Sequence, residues 1–456
     1  MIIPATKSRR LFVLALDGTP YSLLQRFSAD GLMPNLASLI SAANFRPMHS
    51  VLPCVSSVAW SSFMTGRSPL RHGIFGFIER EPHSMEVYIP TAAHQKGQTL
   101  WEYLSALNKR VFVMNVPLTH PPRALNGILI GGFLGTDILT NTWPPDLGPE
   151  LEQAGYRIDV DTVRAREDTE GFLEELSLVY EKRIETLWKY FRQEKWDFFM
   201  AHIMETDRLH HFLWEAWEQG HPRYAAVFAG FYRRLDELIG RISTDLPGHM
   251  DLLILSDHGF TTLKKEVFIN KWLADQGYLK FTGSGAPDTL HHIHPHSLAY
   301  SLLPGRLYVN LKGREKNGGV RPGLAYEQLC RDLREQLLQL QDEADGGPLV
   351  QAVYRTDELY GGAGISAGRT AQADPLAPDL IIRPAAGYDF KGNLWRAQLT
   401  EKGPITGTHT DDDAFLLVKD HALQAKPFSI IDMMPTILDL MDLPVPAGLD
   451  GKSVLS

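Results

Sequence analysis

The chain has little cysteine, no long apolar run and no excess of positive charge, and each absence removes a class of protein. Its 456 residues include two cysteines, Cys54 and Cys330, which disfavours a disulfide framework and excludes a cysteine-rich metal site. No stretch approaches the roughly 20 apolar residues that a membrane-spanning helix needs. A formal net charge of −9 disfavours a nucleic-acid polymer or an anionic membrane as partner. Because the cysteines are too few to form a metal site, any metal ligands must be histidines and carboxylates.

The first apolar run, residues 11–16, follows several basic residues and superficially imitates a signal peptide. It is too short for one, and it ends in Asp17-Gly18 rather than in a small-residue cleavage site. We interpret it as a buried first strand. The content of 44% hydrophobic and 22% charged residues is typical of a soluble globular protein. We therefore expect a cytoplasmic protein.

Short apolar runs alternate with longer amphipathic segments, a pattern that predicts an α/β fold with a mainly parallel sheet. The predicted strands are 11–16, 111–116, 127–131, 197–203, 251–256 and 414–418, and the clearest helices are 172–193, 223–242 and 429–442. Polar residues follow several strands, and such folds gather their sites at the carboxyl ends of strands. The sequence therefore predicts a site where Asp17, Asp207 and Asp257 meet.

The stretch 262–404 differs from its surroundings in composition. It contains a histidine-rich segment around His294 and a glycine- and proline-rich region at 304–323. We interpret it as an inserted cap that selects the substrate, with the core formed by residues 1–261 and 405–456.

Two short motifs carry possible metal ligands. Asp207 and His211 are four residues apart at a predicted helix start, so they share a face, although a helix cap or a surface pair would look the same and His210 competes with His211. Asp257 and His258 follow a predicted strand and can both face a cleft, although an exposed turn is the alternative.

A serine-rich segment, residues 53–66, offers a nucleophile. A hydroxyl at a helix N-terminus lies beside backbone N–H groups that favour a phosphate, although a serine there more commonly serves as a helix cap. A metal ion can hold such a serine as its alkoxide, which removes the need for a partner base.

The order and spacing of these motifs carry a family resemblance. The matching segments are Asp17-Gly18, Ser56 with Trp60 and Thr65-Gly66, His72-Gly73-Ile74, Asp207 with His211, Ser256-Asp257-His258-Gly259, and Gly407-Thr408-His409. Over nearly the whole chain they resemble the alkaline phosphatase superfamily. Within it they resemble the type I phosphodiesterase/nucleotide pyrophosphatase branch and its predicted phosphohydrolase/phosphomutase relatives.

The resemblance implies an alkaline-phosphatase-like fold, a sheet sandwiched by helices, and a two-metal site. One divalent ion would be held by Asp207, His211 and His409, and the other by Asp17, Ser56, Asp257 and His258. These ligands suit Zn²⁺, and Mn²⁺ fits them too. Ser56 would attack a small-molecule phosphoester, either a diester or a monoester, and form a phosphoserine intermediate.

The chain departs from the nucleotide pyrophosphatases at two positions. Ser56 replaces their common threonine, and Phe77 stands where they have an asparagine that binds a phosphoryl oxygen. Nucleotide diesters are therefore not the expected best substrates. Candidate replacement donors are the N–H of Ser57 and the side chain of Asn115, and His294 is a further candidate substrate contact.

Three other functions compete with hydrolysis. A phosphomutase or phosphotransferase would use the same site. A sulfatase needs a proline two residues after its nucleophile and an arginine two further on, and neither Cys54 nor Ser56 is followed by that pattern. A non-catalytic phosphoester-binding protein is disfavoured because every implied ligand position is filled.

Overall fold

The computed structural model describes residues 9–283, 285–361 and 374–456. Its strands are β1 (Arg10–Leu16), β2 (Ala43–Met48), β3 (Glu79–Arg80), β4 (Val87–Tyr88), β5 (Val111–Met114), β6 (Gly127–Ile130), β7 (Thr142–Trp143), β8 (Phe198–Ile203), β9 (Met250–Leu255), β10 (Gly259–Thr262), β11 (Lys265–Phe268), β12 (Ala299–Leu302), β13 (Arg306–Val309), β14 (Val350–Arg355), β15 (Leu380–Pro384), β16 (Tyr388–Lys391), β17 (Thr400–Glu401), β18 (Gly407–Thr410) and β19 (Ala414–Lys419).

Helices cover both faces of the largest sheet. The α-helices are α1 (Tyr21–Ala29), α2 (Pro34–Ala42), α3 (Ser56–Thr65), α4 (Pro69–His72), α5 (Leu100–Ala106), α6 (Leu147–Gln153), α7 (Thr169–Gln193), α8 (Glu205–Glu218), α9 (Tyr224–Asp245), α10 (Ile269–Asp275), α11 (Leu324–Leu337), α12 (Thr356–Tyr360) and α13 (Met433–Leu440). Short 3-10 helices lie at Ile138–Thr140, Arg164–Arg166, Leu290–His292 and Ile430–Asp432. None of the helices in the described ranges has the length and apolarity that crossing a membrane requires.

The largest sheet has eight strands in the order β2-β19-β9-β1-β8-β5-β6-β7. Strands β9, β1, β8, β5 and β6 run parallel, β19 is antiparallel to both of its neighbours, β9 and β2, and β7 is antiparallel to β6. Residues 11–16 of β1 are fully buried, as expected for a strand covered on both faces. The predicted mainly parallel α/β fold is confirmed, and each predicted strand is present within three residues of its expected ends.

Two elements differ from the expectation. The segment predicted as the helix 429–442 begins as a 3-10 helix, Ile430–Asp432, before α13 follows. Asp432 explains the tight first turn, because its side chain accepts a hydrogen bond from the N–H of Ser429 at 2.9 Å. Strand β2 was not predicted, since its partly exposed edge position gives no clear apolar alternation.

The described residues of the stretch 262–404 contribute no strand to the eight-stranded sheet. Its strands form separate sheets, of which the largest has the order β12-β13-β15-β14. Two buried ion pairs join the segment 262–404 to the hairpin β3–β4: Glu79 with Arg306 of β13 at 2.7 Å, and Arg80 with Glu315 of the following loop at 2.6 Å. The segment thus packs against the core through charged groups removed from water.

Candidate active site

The three carboxylates predicted at strand ends meet because their strands are neighbours. Strand β1 lies between β9 and β8, and all three are parallel, so their carboxyl ends share one edge. Asp17 follows β1, Asp257 follows β9, and Asp207 lies in the first turn of α8, directly after β8. All three carboxylates are buried.

Two glycines allow the chain to approach itself closely here. Gly18 turns the chain after Asp17 with φ +59°, and its N–H donates to Asp257 Oδ1 at 3.0 Å. A Cβ atom on Gly407 would lie 2.5 Å from the carbonyl oxygen of His210. Gly407 opens β18, which pairs with β10 so that His409 is opposite Phe260. The β10–β18 ribbon thus brings His409 to the strand ends.

The first ligand cluster consists of Asp17, Asp257 and His258. His258 Nε2 lies 3.6 Å from Asp17 Oδ1 and 3.4 Å from Asp257 Oδ2. Ser56 Oγ donates to Asp17 Oδ1 at 3.1 Å and lies 3.3 Å from His258 Nε2. The structure therefore brings the predicted nucleophile to this cluster.

The second cluster consists of Asp207, His211 and His409. Asp207 Oδ1 lies 3.4 Å from His211 Nε2 and 3.2 Å from His409 Nε2, and the two Nε2 atoms are 3.2 Å apart. The rings of His409 and His258 stack at 3.8 Å, so the two clusters adjoin.

Backbone carbonyls fix the tautomer of all three histidines. The Nδ1 atoms of His258, His211 and His409 lie 3.1, 3.1 and 3.2 Å from the carbonyl oxygens of Gly259, Gly407 and Cys54. A carbonyl only accepts, so each Nδ1 carries the proton and each Nε2 faces its cluster. This orientation is typical of histidines that ligate metals.

The ionisation of the clusters suits a cation. Burial lowers the pKa of His258 to about 3 and that of His211 to about 4, so both rings are neutral near pH 7 and offer a lone pair. Burial, together with the charge of Asp17, raises the pKa of Asp257 well above its usual range. Burial also opposes ionisation of Asp207, but the neighbouring His211, His409 and Arg208 hold its pKa well below the usual value.

Unpaired carboxylate oxygens in both clusters also indicate that the clusters suit a cation. Asp257 Oδ2 and Asp207 Oδ1 are buried, and neither accepts a hydrogen bond from any described residue. Buried carboxylate oxygens without partners are costly, and a bound cation would satisfy them. The nitrogen and oxygen donors present therefore fit one divalent ion in each cluster.

Ser56 is the first residue of α3, where two backbone N–H groups remain free. Among the described residues, none accepts a hydrogen bond from the N–H of Ser56 or Ser57. Free N–H groups at a helix N-terminus favour an anion such as phosphate. Trp60, one turn later, donates from Nε1 to Asp17 Oδ2 at 3.0 Å, which ties the helix to the first cluster.

Several supporting residues were missed in the sequence. His202 is fully buried, with Nε2 2.8 Å from Asp17 Oδ2 and Nδ1 2.8 Å from the carbonyl oxygen of Asn115. Thr206 Oγ1 donates to the carbonyl oxygen of Asp17, and Arg208 Nη1 donates to Asp207 Oδ2. A histidine within the apolar strand β8 was the one visible signal, because buried polar side chains need partners.

The structure distinguishes His211 from His210, the other candidate ligand in this motif. His210 Nδ1 donates to the carbonyl oxygen of Gly18 at 3.0 Å, and its Nε2 lies 2.8 Å from the hydroxyl of Tyr232. Both ring nitrogens of His210 are therefore engaged away from the clusters. Burial lowers the pKa of His210 to about 3, so it is a neutral core residue.

The candidate substrate contacts fall in different places. Phe77 lines a cavity beside the second cluster, and Ser57 is buried next to the nucleophile. Asn115 is fully buried and does not line that cavity; its Oδ1 lies 3.5 Å from the hydroxyl of Tyr156. His294 stacks on the ring of His296 at 5.0 Å and is also absent from the cavity wall, so neither Asn115 nor His294 has geometric support as a substrate contact.

The parallel sheet with paired clusters at its edge is an alkaline-phosphatase-like fold, and the family match shows a phosphoric ester hydrolase. The model of the family "Type I phosphodiesterase / nucleotide pyrophosphatase" matches residues 11–412, and the chain belongs to this family. The resemblance inferred from the motifs is confirmed.

Solved structures share the fold at low sequence identity. Murine ectonucleotide pyrophosphatase/phosphodiesterase 5 is 11% identical, with a TM-score of 0.58 over 98% of this chain and 100% of its own. An inactive variant of the same murine protein in complex with AMP is also 11% identical, with a TM-score of 0.59 and the same coverage. No curated protein matches the chain by sequence.

Proposed function

We propose that this protein hydrolyses small phosphoesters with two divalent metal ions and a phosphoserine intermediate on Ser56. The observation that carries the proposal is the position of Ser56 Oγ, 3.1 Å from Asp17 and 3.3 Å from His258, at the N-terminus of α3. When bound, two divalent cations, zinc or manganese, supply the Lewis-acid charge that activates a serine hydroxyl and stabilises charge on phosphoryl oxygens.

The residues of the chain divide the metal sites as the family resemblance implies. Asp207, His211 and His409 would hold one ion, and Asp17, Asp257, His258 and Ser56 the other. Three Nε2 atoms directed into the clusters and two unpaired carboxylate oxygens support this division. The sign of the charges also agrees, because burial and the charge of Asp17 raise the pKa of Asp257, and a cation would offset that charge.

In the first step, a bond forms between Ser56 Oγ and phosphorus while the bond to the leaving alcohol breaks. The serine proton passes to solvent, and the departing alkoxide takes a proton from solvent, so that it leaves as the alcohol. Water then attacks phosphorus and the bond between phosphorus and Ser56 Oγ breaks; one proton of the water restores the Ser56 hydroxyl, and the other passes to solvent. The free N–H groups of Ser56 and Ser57 can donate to a phosphoryl oxygen in both steps, which would replace the donor missing at Phe77.

The test is a pair of alanine variants at adjacent serines. We expect Ser56→Ala to lower the turnover of a chromogenic phosphodiester by at least about a thousandfold, because the nucleophile is lost. Metal content, measured by elemental analysis, should stay close to two ions per chain. Ser57→Ala is the matched control and should keep most of its activity. Loss of activity in Ser57→Ala alone would contradict the assignment.

A phosphomutase would use the same residues but would pass the phosphoryl group to a second alcohol. Hydrolysis in ¹⁸O-labelled water distinguishes the two outcomes, because only transfer to water labels the released phosphate. We also propose a cytoplasmic location, which the free thiols of Cys54 and Cys330 support.

A further inference from the structure

A cavity of about 260 Å³ opens beside the second ligand cluster, between the core and the segment 262–404. His211 and His409 lie in its wall, together with Cys54 and Val55, which precede the nucleophile. If the phosphorus of a phosphoester lies at Ser56, one substituent on that phosphorus can therefore reach this cavity.

Apolar side chains form most of the wall. The core contributes Phe77, Phe133 and Phe212, and the segment 262–404 contributes Leu303, Pro304, Ile382, Pro384, Tyr388 and Phe390. The rings of Phe77 and Phe133 meet edge to face, with centroids 5.4 Å apart. Phe77 therefore places an aromatic ring in the wall where the nucleotide pyrophosphatases have a polar amide.

The charged groups in the wall are mostly neutralised. Arg208 forms ion pairs with Asp159 and Asp207, and its guanidinium stacks over Phe133 at 4.9 Å. Lys391 contacts Asp389 at 2.5 Å and Glu266 at 3.3 Å.

Asp411 is likewise paired, with Arg383 at 2.7 Å. Among the described residues of the wall, Arg166 is the one cation without an ion pair, and because it is exposed, water screens its charge. The cavity therefore offers little attraction to a second anionic group.

The two sides of the cavity are held together by a buried ion pair. Phe77 lies two residues before Glu79, and Pro304 lies two residues before Arg306, so the Glu79–Arg306 pair anchors both walls. Gly76 passes so close that a Cβ atom there would lie 2.6 Å from Arg306 Nη2. The wall is thus formed before a ligand arrives, as in most small-molecule sites.

We propose that this cavity binds a small apolar substituent of the phosphoester, such as one aromatic ring or a short alkyl chain. This inference rests on the proposed function, because it takes the phosphoryl group to lie at Ser56. The volume falls below the roughly 300–1,000 Å³ of sites for drug-sized ligands, which favours a single ring over a nucleoside with further phosphates.

The experiment measures binding of non-hydrolysable phosphonates to the metal-loaded protein by calorimetry. Methylphosphonate, benzylphosphonate and 4-carboxybenzylphosphonate share the anionic group and differ in the substituent. Burial of one phenyl ring should make benzylphosphonate bind about tenfold or more tightly than methylphosphonate. The added carboxylate of the third compound should remove most of that gain. Equal binding of the methyl and benzyl compounds would overturn the inference.

Two variants test whether the tighter binding of benzylphosphonate comes from contacts in the cavity. In Phe133→Ala and in Ile382→Ala, we expect the preference for benzylphosphonate to fall at least threefold while methylphosphonate binding stays constant. Leu324→Ala, a truncation of an exposed leucine outside the cavity, is the control and should keep the full preference. An unchanged preference in both cavity variants, with folding verified by circular dichroism, would place the apolar group elsewhere.

The design separates this inference from the proposed function. If no phosphonate binds and metal-loaded protein hydrolyses no phosphoester, the proposed function fails. If methylphosphonate binds and phosphoesters are hydrolysed without any preference for the apolar substituent, this inference alone fails.

Discussion

The two ligand clusters and the cavity beside them are neighbours with opposite physical characters. The clusters are buried and polar, and they are built from residues at the ends of adjacent parallel strands. The cavity is mainly apolar, and its wall comes from loops of the core and from the segment 262–404. In the proposed function, one region would supply charge to a reacting phosphorus, and the other would supply shape and apolar surface to a substituent.

This difference separates the region proposed to carry out the reaction from the region proposed to select the substrate. A reaction at phosphorus needs ligands at short fixed distances, which a sheet edge provides because the strands cannot move independently. Selection among substituents needs a surface that varies, which loops and inserted segments provide. Substitutions in the cavity should therefore leave the reaction at phosphorus largely intact, and substitutions in the clusters should leave the preference among substituents largely intact. The following experiments test that separation.

Removal of the metal ions should have the largest effect. Dialysis against a chelator should abolish hydrolysis, because the charge that activates Ser56 is lost. Addition of Zn²⁺ or Mn²⁺ should restore it, and secondary structure measured by circular dichroism should persist throughout. Full activity of a chelated protein that elemental analysis finds free of metal would contradict the assignment of the clusters.

Removing one partner of the Glu79–Arg306 ion pair beside the cavity should lower the stability of the folded protein. Glu79→Met leaves Arg306 buried without its partner and should lower the free energy of unfolding by about 3–5 kcal/mol, whereas Glu79→Met with Arg306→Met should cost much less. Denaturant unfolding of the two variants measures the difference. An equally large loss in both would mean that packing, and not the unpaired charge, governs stability here.

Substitution of His202 should weaken metal binding. His202→Phe removes the contact to Asp17 Oδ2, and loss of such a support lowers metal affinity by about 10–100-fold. Competition with a chromogenic chelator measures the affinity of each ion. The control is Trp188→Phe, a buried aromatic substitution on α7 away from the clusters. If His202→Phe binds both ions like the unsubstituted protein, His202 does not position Asp17.

Buried neutral histidines should make the metal-free protein sensitive to acid. Burial lowers the pKa of His210 and of His72 from 6.5 to about 3, so below pH 6.5 the unfolded chain takes up protons that the folded chain does not. Each histidine should therefore reduce the free energy of unfolding by about 1.4 kcal/mol per pH unit as the pH falls from about 6 towards 3.

His210→Asn keeps a side-chain N–H for the carbonyl oxygen of Gly18 and removes the titrating ring. The slope of unfolding free energy against pH in this range should then decrease by the contribution of one histidine. A slope equal to that of the unsubstituted protein would show that His210 is not neutral in the folded state.

Much of the catalytic region was predictable because its signals are local. A strand buried on both faces is a continuous apolar run, so β1, β8 and β9 and the polar residues that follow them could be read directly. Ordered motifs then identified the family, which the match over residues 11–412 confirmed. The metal ions, the role of Ser56 and the division between core and cap remain predictions that the geometry supports.

The amino-acid sequence by itself determined the sheet and the family, and it predicted the ligand residues, since each of these depends on short motifs that can be recognised locally. Tertiary structure alone decided that His211 and not His210 faces Asp207, that His202 supports Asp17, and that Phe77 packs on Phe133. These contacts join residues distant in the chain, and their partners depend on the packing of whole elements. No local pattern of residue types specifies them.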